Sequence, residues 1–271
     1  MGWMRTPFGI ISHKSRSVGS PEEGVFVVWG EGVTIAEGQV YWMLQNHLKE
    51  VPAPEIYGWR TDGNQVFLYL EHIEGEKLED LEVENKISAE EFSEIYDQIK
   101  PAKLALSRLR QDPRDVFLGK IGRQPLLVGR QPVLDIDNNC KEDDDNFAGP
   151  FPTVAAFHDW LTDQVLRKSP DPEPIMTLRK VLPDNAPIVF SHNNLFVRHI
   201  IVSSTKPLKV LAIVGWQHSG WYPSYWEQCR ATRNRYGTWA FDYLPKLLKS
   251  SEYSDELLRA FWTCMERLGL C

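Results

Sequence analysis

Residues 191–227 read SHNNLFVRHIIVSSTKPLKVLAIVGWQHSGWYPSYWE. The apolar run at 210–214 has the length of a strand and is far too short to span a membrane. Asn193 and Asn194 read as turn residues, since Asn tolerates the backbone conformations a tight turn needs. Trp216, Trp221 and Trp226 carry large burial areas and are expected to pack a core. Among these apolar anchors stand His192, Asn194, Arg198, His199, Gln217, His218 and Tyr222. Aromatic walls with a few placed polar groups are the make-up of a pocket for an uncharged organic ligand. A neutral imidazole near its ordinary pKa of ~6.5 is also a ready acid or base.

The same residues carry a family resemblance. His192, Leu195, Arg198, Ile200 and the tail Gly220, Trp221, Tyr222, Pro223, Tyr225, Trp226, Glu227 resemble the aminoglycoside-phosphotransferase family. The likeness is strongest to its fungal-type branch, where the stretch runs His-Gly-Asp-Leu, Arg-Asn-Ile, Ile-Asp-Trp-Glu and Gly-Trp-Tyr-Pro-x-Tyr-Trp-Glu. Further upstream, VVWGEGVTIAE at 27–37 resembles the family's Val-Val-Lys-x-Gly…Glu run, and VPAPEIYG at 51–58 its Val-Pro-x-Pro turn. Gly149-Pro150-Phe151 resembles the entry to a helix of the large lobe. The resemblance implies a bilobal, protein-kinase-like α+β fold: a small N-lobe of sheet plus helix at 1–70, a hinge at 71–75, and a mainly helical C-lobe at 76–271 with an irregular insertion at 111–148.

Position by position, it also implies that the chemistry has changed. The family's catalytic Asp falls on Asn194 and the Gly before it on Asn193. Its metal-binding Asn falls on His199, its second metal-binding Asp on Gly215, and the Glu after the Trp on Gln217. The Lys that should pair with the helix carboxylate Glu37 is Trp29. Phosphoryl transfer asks a protein for metal ions on the phosphates, a cation beside them and a carboxylate that takes the proton of the attacking hydroxyl. Asn194 cannot take that proton at neutral pH, so general-base assistance, typically ~10²–10⁴-fold, is lost. Gly215 offers a metal no side chain. His199 offers nitrogen, where magnesium prefers hard oxygen ligands. Trp29 puts an apolar plate where a phosphate-gripping ammonium belongs.

Composition sets the outer limits. The chain has 271 residues, 42% hydrophobic and 25% charged, enough for a large core and unlike a disordered chain. A net charge of −7 without a basic run argues against nucleic acid, whose sequence-independent affinity comes from clustered Lys and Arg. Cys140, Cys229, Cys264 and Cys271 are far apart, which indicates neither a disulfide framework nor a zinc site. With no signal-length apolar core at the N-terminus, a cytoplasmic protein is expected.

Local patterns fill in the elements. VFVVW at 25–29 and QVFLYL at 65–70 read as strands, with a helix over 34–49 between them. Ser88 and Glu91 form a capping box opening a helix to 109, which Pro101 should kink. Phe157, Trp160, Leu161 and Val165 mark another helix, and 227–235 and 255–268 read as closing helices. The acidic run at 141–146 reads as a solvated loop rather than a calcium-type site. No Gly-x-Gly-x-x-Gly precedes the first of these strands, so a lid over nucleotide phosphates is expected to be shortened or absent.

These readings give one leading expectation and two alternatives. The leading one is a kinase-fold protein that no longer transfers phosphoryl groups. It would instead cyclise, isomerise or otherwise rearrange a small apolar metabolite in the interlobe cleft, without metal or cofactor, with secondary metabolism as the setting that the fungal-type resemblance implies. His199, Asn194 and Arg198 are the catalytic candidates. Trp29, Glu37, His192, Asn193, Trp216, Gln217, His218 and Tyr222 are the ligand-binding candidates. The alternatives are a ligand-binding or regulatory protein without turnover, and a residual ATP-dependent phosphotransferase.

Overall fold

A computed structural model describes residues 15–20, 24–30, 32–127, 147–168, 171–231, 237–248 and 254–267. The elements run β1 (Ser15–Ser20), β2 (Val25–Gly30), α1 (Ile35–His47), β3 (Ile56–Asp62), β4 (Gln65–Glu71), β5 (Glu76–Lys77), α2 (Leu78–Val83), α3 (Ala89–Arg108), β6 (Leu126–Leu127), β7 (Phe147–Ala148), α4 (Val154–Lys168), α5 (Glu173–Val181), β8 (Ile188–Ser191), β9 (Ile200–Val202), β10 (Val210–Ile213), β11 (Gly220–Pro223), α6 (Trp226–Ala231), α7 (Leu244–Leu248) and α8 (Asp255–Arg267). Small antiparallel sheets and many helices make this α+β, as the sequence implied.

Two compact units share the chain. The first takes its described residues from Met1–Arg108, Asn194–Ser219 and Arg235–Leu247, and the second from Leu109–Asn193, Gly220–Asn234 and Leu248–Cys271. In the first, a sheet of order β1-β2-β4-β3 is built on alternation: Phe26 and Val28 of β2 are buried opposite Leu70 and Leu68 of β4. Helix α1 starts where Thr34 Oγ1 accepts the Glu37 N–H at 3.4 Å. It buries Ala36, Glu37, Val40, Tyr41 and Leu44, the spacing of one helical face. Gly38 lets it lie close, for a Cβ there would stand 3.1 Å from Leu68 Cδ2 and from Trp59 Cε3.

The capping box is present in both directions. Ser88 N donates to Glu91 Oε2 at 2.9 Å, and Glu91 N to Ser88 Oγ at 3.2 Å. Helix α3 then runs through Pro101 as one element. Pro101 has no N–H for the Asp97 carbonyl one turn earlier, and both residues lie on the exposed side of the helix. The buried stripe Phe92, Ile95, Ile99, Ala102, Ala105, Leu106 continues across the site. Two elements carry no expectation from the sequence: the strand 56–62, which overlaps only the end of the turn-like run 51–58, and the π turn Trp239–Tyr243 leading into α7. The acidic run at 141–146 and most of the stretch where the phosphate lid was sought lie outside the described residues.

The second unit packs around aromatics. Trp226 meets Phe157 edge-on at 4.9 Å, Phe261 edge-on at 5.2 Å, and stacks on Tyr222 at 5.8 Å between ring centres. Beside this cluster runs a polar chain: the Tyr225 hydroxyl lies 2.5 Å from His158 Nε2, and His158 Nδ1 lies 2.7 Å from Asp184 Oδ1. Arg179 grips Asp184 with two bonds of 3.0 Å and Asp159 with one of 2.8 Å. An ionised Asp184 can only accept, so Nδ1 carries the imidazole proton and Nε2 accepts from Tyr225.

Burial lowers the pKa of His158, with Asp184 opposing. Burial would raise the Asp184 carboxyl, but Arg179 and His158 outweigh it and hold it below its usual range. His158 is therefore neutral when folded and takes a proton more readily when unfolded, where its pKa is ~6.5. Its contribution to stability is present above that value and lost as pH falls below it. Thermal melts of wild type and H158Q between pH 7.5 and about 5 should lose stability more steeply in wild type; parallel pH profiles would contradict a neutral His158.

Candidate functional site

The loops that follow β8 and β10 hold most of the candidate residues, and backbone bonds fix both. Asn193 sits in the left-handed region at φ 64°, and its N–H donates to the buried Glu227 carboxylate at 2.6 Å. The Tyr222 hydroxyl bonds the Asn193 side chain, and burial raises the Tyr222 pKa. His192 is also buried in this second unit. Asn193, Tyr222 and Glu227 thus organise the loop's entry.

Asn194 opens the first unit's share of the loop. Its carbonyl accepts from Phe196 N at 2.9 Å and lies 2.7 Å from His199 Nδ1. A carbonyl only accepts, so Nδ1 carries the proton, and the ring's orientation is set by backbone. The Trp239 indole N–H donates to the Leu195 carbonyl at 3.2 Å, and Glu82 Oε1 receives the Trp239 backbone N–H at 3.2 Å.

The second loop is tied in the same way. Ile213 N donates to the Pro52 carbonyl at 2.7 Å, and Val214 N to the His199 carbonyl at 2.9 Å. The Trp216 indole donates to the Ile213 carbonyl at 2.9 Å, which makes this residue core packing, and Gln217 and His218 are buried in the same 3₁₀ turn. Gly215 adopts φ 77°, ψ 47°, a left-handed conformation that Gly takes without strain. Its N–H reaches the Tyr41 hydroxyl at 3.3 Å.

The imidazole of His199 closes this centre. A Cβ built on Gly215 would stand 2.4 Å from His199 Cδ2 and 2.8 Å from Nε2. The ring therefore fills the volume that a side chain at 215 would enter. Glu37 is only 4% exposed and lies on α1 one turn before Tyr41. Burial first, and the Glu37 charge second, push the Tyr41 phenol well above its ordinary pKa, so it stays protonated. Tyr41 is the site residue that the sequence reading missed. Its i, i+4 spacing from Glu37 was the available signal.

Two candidates stand apart from the His199–Gly215 contact. Trp29 stacks on Phe67 at 6.2 Å and 16°, as neighbours across β2 and β4. Arg198 places its guanidinium 5.2 Å over the Phe196 ring; burial lowers its pKa while the Glu79 charge raises it. Glu79 is on α2, so Arg198 faces a different neighbourhood from His199.

A family model described as the phosphotransferase enzyme family matches residues 34–243. The chain belongs to that family. Solved structures agree on the fold. An aminoglycoside phosphotransferase APH(4)-Ia, a thermostable mutant in its apo form, aligns with TM-score 0.57 at 14% identity, covering 96% of this chain and 82% of that one. APH(3'')-Id from Streptomyces rimosus aligns with TM-score 0.53 at 13% identity over 96% of this chain and 91% of that one. APH(2'')-Ib, solved with ADP bound, gives 0.52 at 12% identity over 93% and 78%. No curated protein matches the chain.

Magnesium is what this family implies, and the residues at 199 and 215 do not fit it. Magnesium requires oxygen ligands in near-octahedral array. Position 215 supplies none, and the His199 ring covers its approach. Among the described residues no cluster of three His, Cys, Asp or Glu could hold a metal ion, and no helix is long and apolar enough to cross a membrane.

The contact between His199 and Gly215 has a measurable signature. G215D alone should destabilise by about 2–4 kcal/mol, from overpacking against the ring and a left-handed non-Gly residue. In H199N/G215D the smaller side chain makes room, so a double-mutant cycle in denaturant should give about 1 kcal/mol or more of favourable coupling. Strict additivity would mean that the two positions do not compete for one volume.

Proposed function

We propose that this member of the phosphotransferase enzyme family does not transfer phosphoryl groups, and that the same centre acts on a small, uncharged organic molecule. The observation that carries this reading is the His199 ring, fixed by the Asn194 carbonyl, in the space a carboxylate at 215 would need. With Asn194 unable to accept a proton and Trp29 unable to hold phosphate, the electrostatics of triphosphate handling are missing.

Two groups at the centre carry a proton, the His199 imidazole and the Tyr41 phenol, and the buried Glu37 carboxylate stands one helical turn from Tyr41. Such groups suit a rearrangement, a cyclisation or an isomerisation, in which a proton is moved and nothing is transferred to a second substrate. The lobe division at 1–70, 71–75 and 76–271 and a cytosolic setting belong to this proposal. A second reading, ligand binding without turnover, is favoured by the burial of His199 and Asn194, which leaves little of either side chain at the surface.

Titration with ATP, with and without magnesium, separates these readings from a working kinase. Productive binding would raise the unfolding free energy by about 2.7 kcal/mol at a hundredfold excess over Kd. No shift in melting temperature at millimolar ATP is expected; a clear rise together with ATP consumption on an acceptor would overturn the proposal. A panel of uncharged metabolites should then contain one that stabilises the protein. Conversion slowed in H199Q and Y41F supports the rearrangement, and binding with no product in wild type supports the second reading.

A further inference from the structure

The sheet order β1-β2-β4-β3 leaves β3 at an edge, and among the described residues no strand pairs with its outer side. Three large aromatics stand exposed on this strand and the helix behind it: Tyr57 at 56%, Trp59 at 39% and Trp42 at 49%. Trp59 packs toward Gly38 of α1, and Trp42 follows one helical turn later. An unpaired strand edge beside exposed aromatic surface is a template for association.

The strand's own pattern selects the partner. Gly63, at φ 56°, and Asn64 form the two-residue connection between β3 and β4, which closes on the Asp62–Gln65 pair. In a two-residue hairpin that closing pair is hydrogen-bonded, and bonding alternates from there. Arg60 therefore bonds across to Phe67, while Thr61 and Trp59 turn their N–H and C=O groups to the open edge. Arg60 and Asp62 project from the face opposite Trp59, both exposed, and neither has an ion-pair partner among the described residues.

Edge strands are commonly guarded by charges that repel a neighbour. Here the two charges are opposite in sign and flank the outward-facing Thr61. A two-fold axis at Thr61 would set each Arg60 directly across from an Asp62, in a pair whose side chains approach closely. We propose that β3 pairs antiparallel with β3 of a second copy of this chain, centred on Thr61 and sealed by two reciprocal Arg60–Asp62 contacts. Centred on Thr61, only 60–62 meet strand residues of the other copy, since Trp59 and Gly58 would face the turn residues Gly63 and Asn64, so the dimer is weak and concentration-dependent, with the exposed aromatics adding apolar contact beside it. This inference stands apart from the function proposed above, since none of its residues belongs to the His199 centre.

Sedimentation equilibrium from low micromolar to several hundred micromolar protein tests it. Wild type should move toward twice the monomer mass. R60D and D62R should each raise the midpoint concentration about tenfold or more, because each places like charges opposite one another. The charge-swapped R60D/D62R should return it to the wild-type value. Circular dichroism melts of these exposed-site variants should match wild type. A monomer at every concentration, or a dimer whose midpoint ignores the single reversals or fails to recover in the swap, would overturn the proposal and leave the edge to another occupant.

Discussion

The contact on which the site depends is the edge of one imidazole against a residue without a side chain. Gly215 can accept the His199 ring because it has no Cβ, and it can hold φ 77° for the same reason. The left-handed turn aims its N–H at Tyr41, which joins α1 to the loop after β10. His199 in turn is not free to swing away, since its Nδ1 proton is committed to the Asn194 carbonyl. Positions 41, 194, 199 and 215, scattered along the chain, thus form one packed unit. A change at any one of them is felt at the others.

The aromatic tail plays a different part. Glu227 receives the Asn193 N–H, Tyr222 bonds the Asn193 side chain, and Tyr225 closes a chain through His158 to Asp184 and Arg179. Trp226 sits among Phe157, Tyr222 and Phe261. These residues shape backbone and core without needing a nucleotide nearby. A buried carboxylate such as Glu227 is tolerable because it takes a short, charge-assisted bond from an N–H that the left-handed Asn193 presents to it.

How much of this the sequence made legible depended on the strength of the local pattern. β2 and β4 were readable because each alternates buried apolar residues with partly exposed ones, and α3 because Ser88 and Glu91 spell its start. β3 was not, for it buries only Ile56 and carries Tyr57, Trp59, Arg60 and Asp62 on an exposed edge, so no period of two survives. The turn at Trp239 escaped because its position is set from outside, by Glu82 and the Leu195 carbonyl. At the site, alignment with a family pattern located Asn194, His199 and Gly215 but said nothing of their contact. That contact comes from tertiary geometry, as does the separation of Arg198, whose side chain turns to Phe196 although its neighbour in sequence faces Gly215.

The bonds that hold this frame are largely independent of the side chains a phosphoryl-transfer site would use. The groups that hold the loops are mostly backbone amides and carbonyls, met by Glu227, Tyr41, Trp239 and the Trp216 indole. Those bonds do not depend on whether position 194 carries a carboxylate or an amide, because the Asn194 carbonyl does the holding. A neutral group at such a buried position carries no charge that a cation would have to balance, whereas a buried carboxylate does. A neutral ring beside a residue without a side chain keeps such a space closely packed. His199 over Gly215 packs in this way, the ring occupying the volume that a Cβ at 215 would enter.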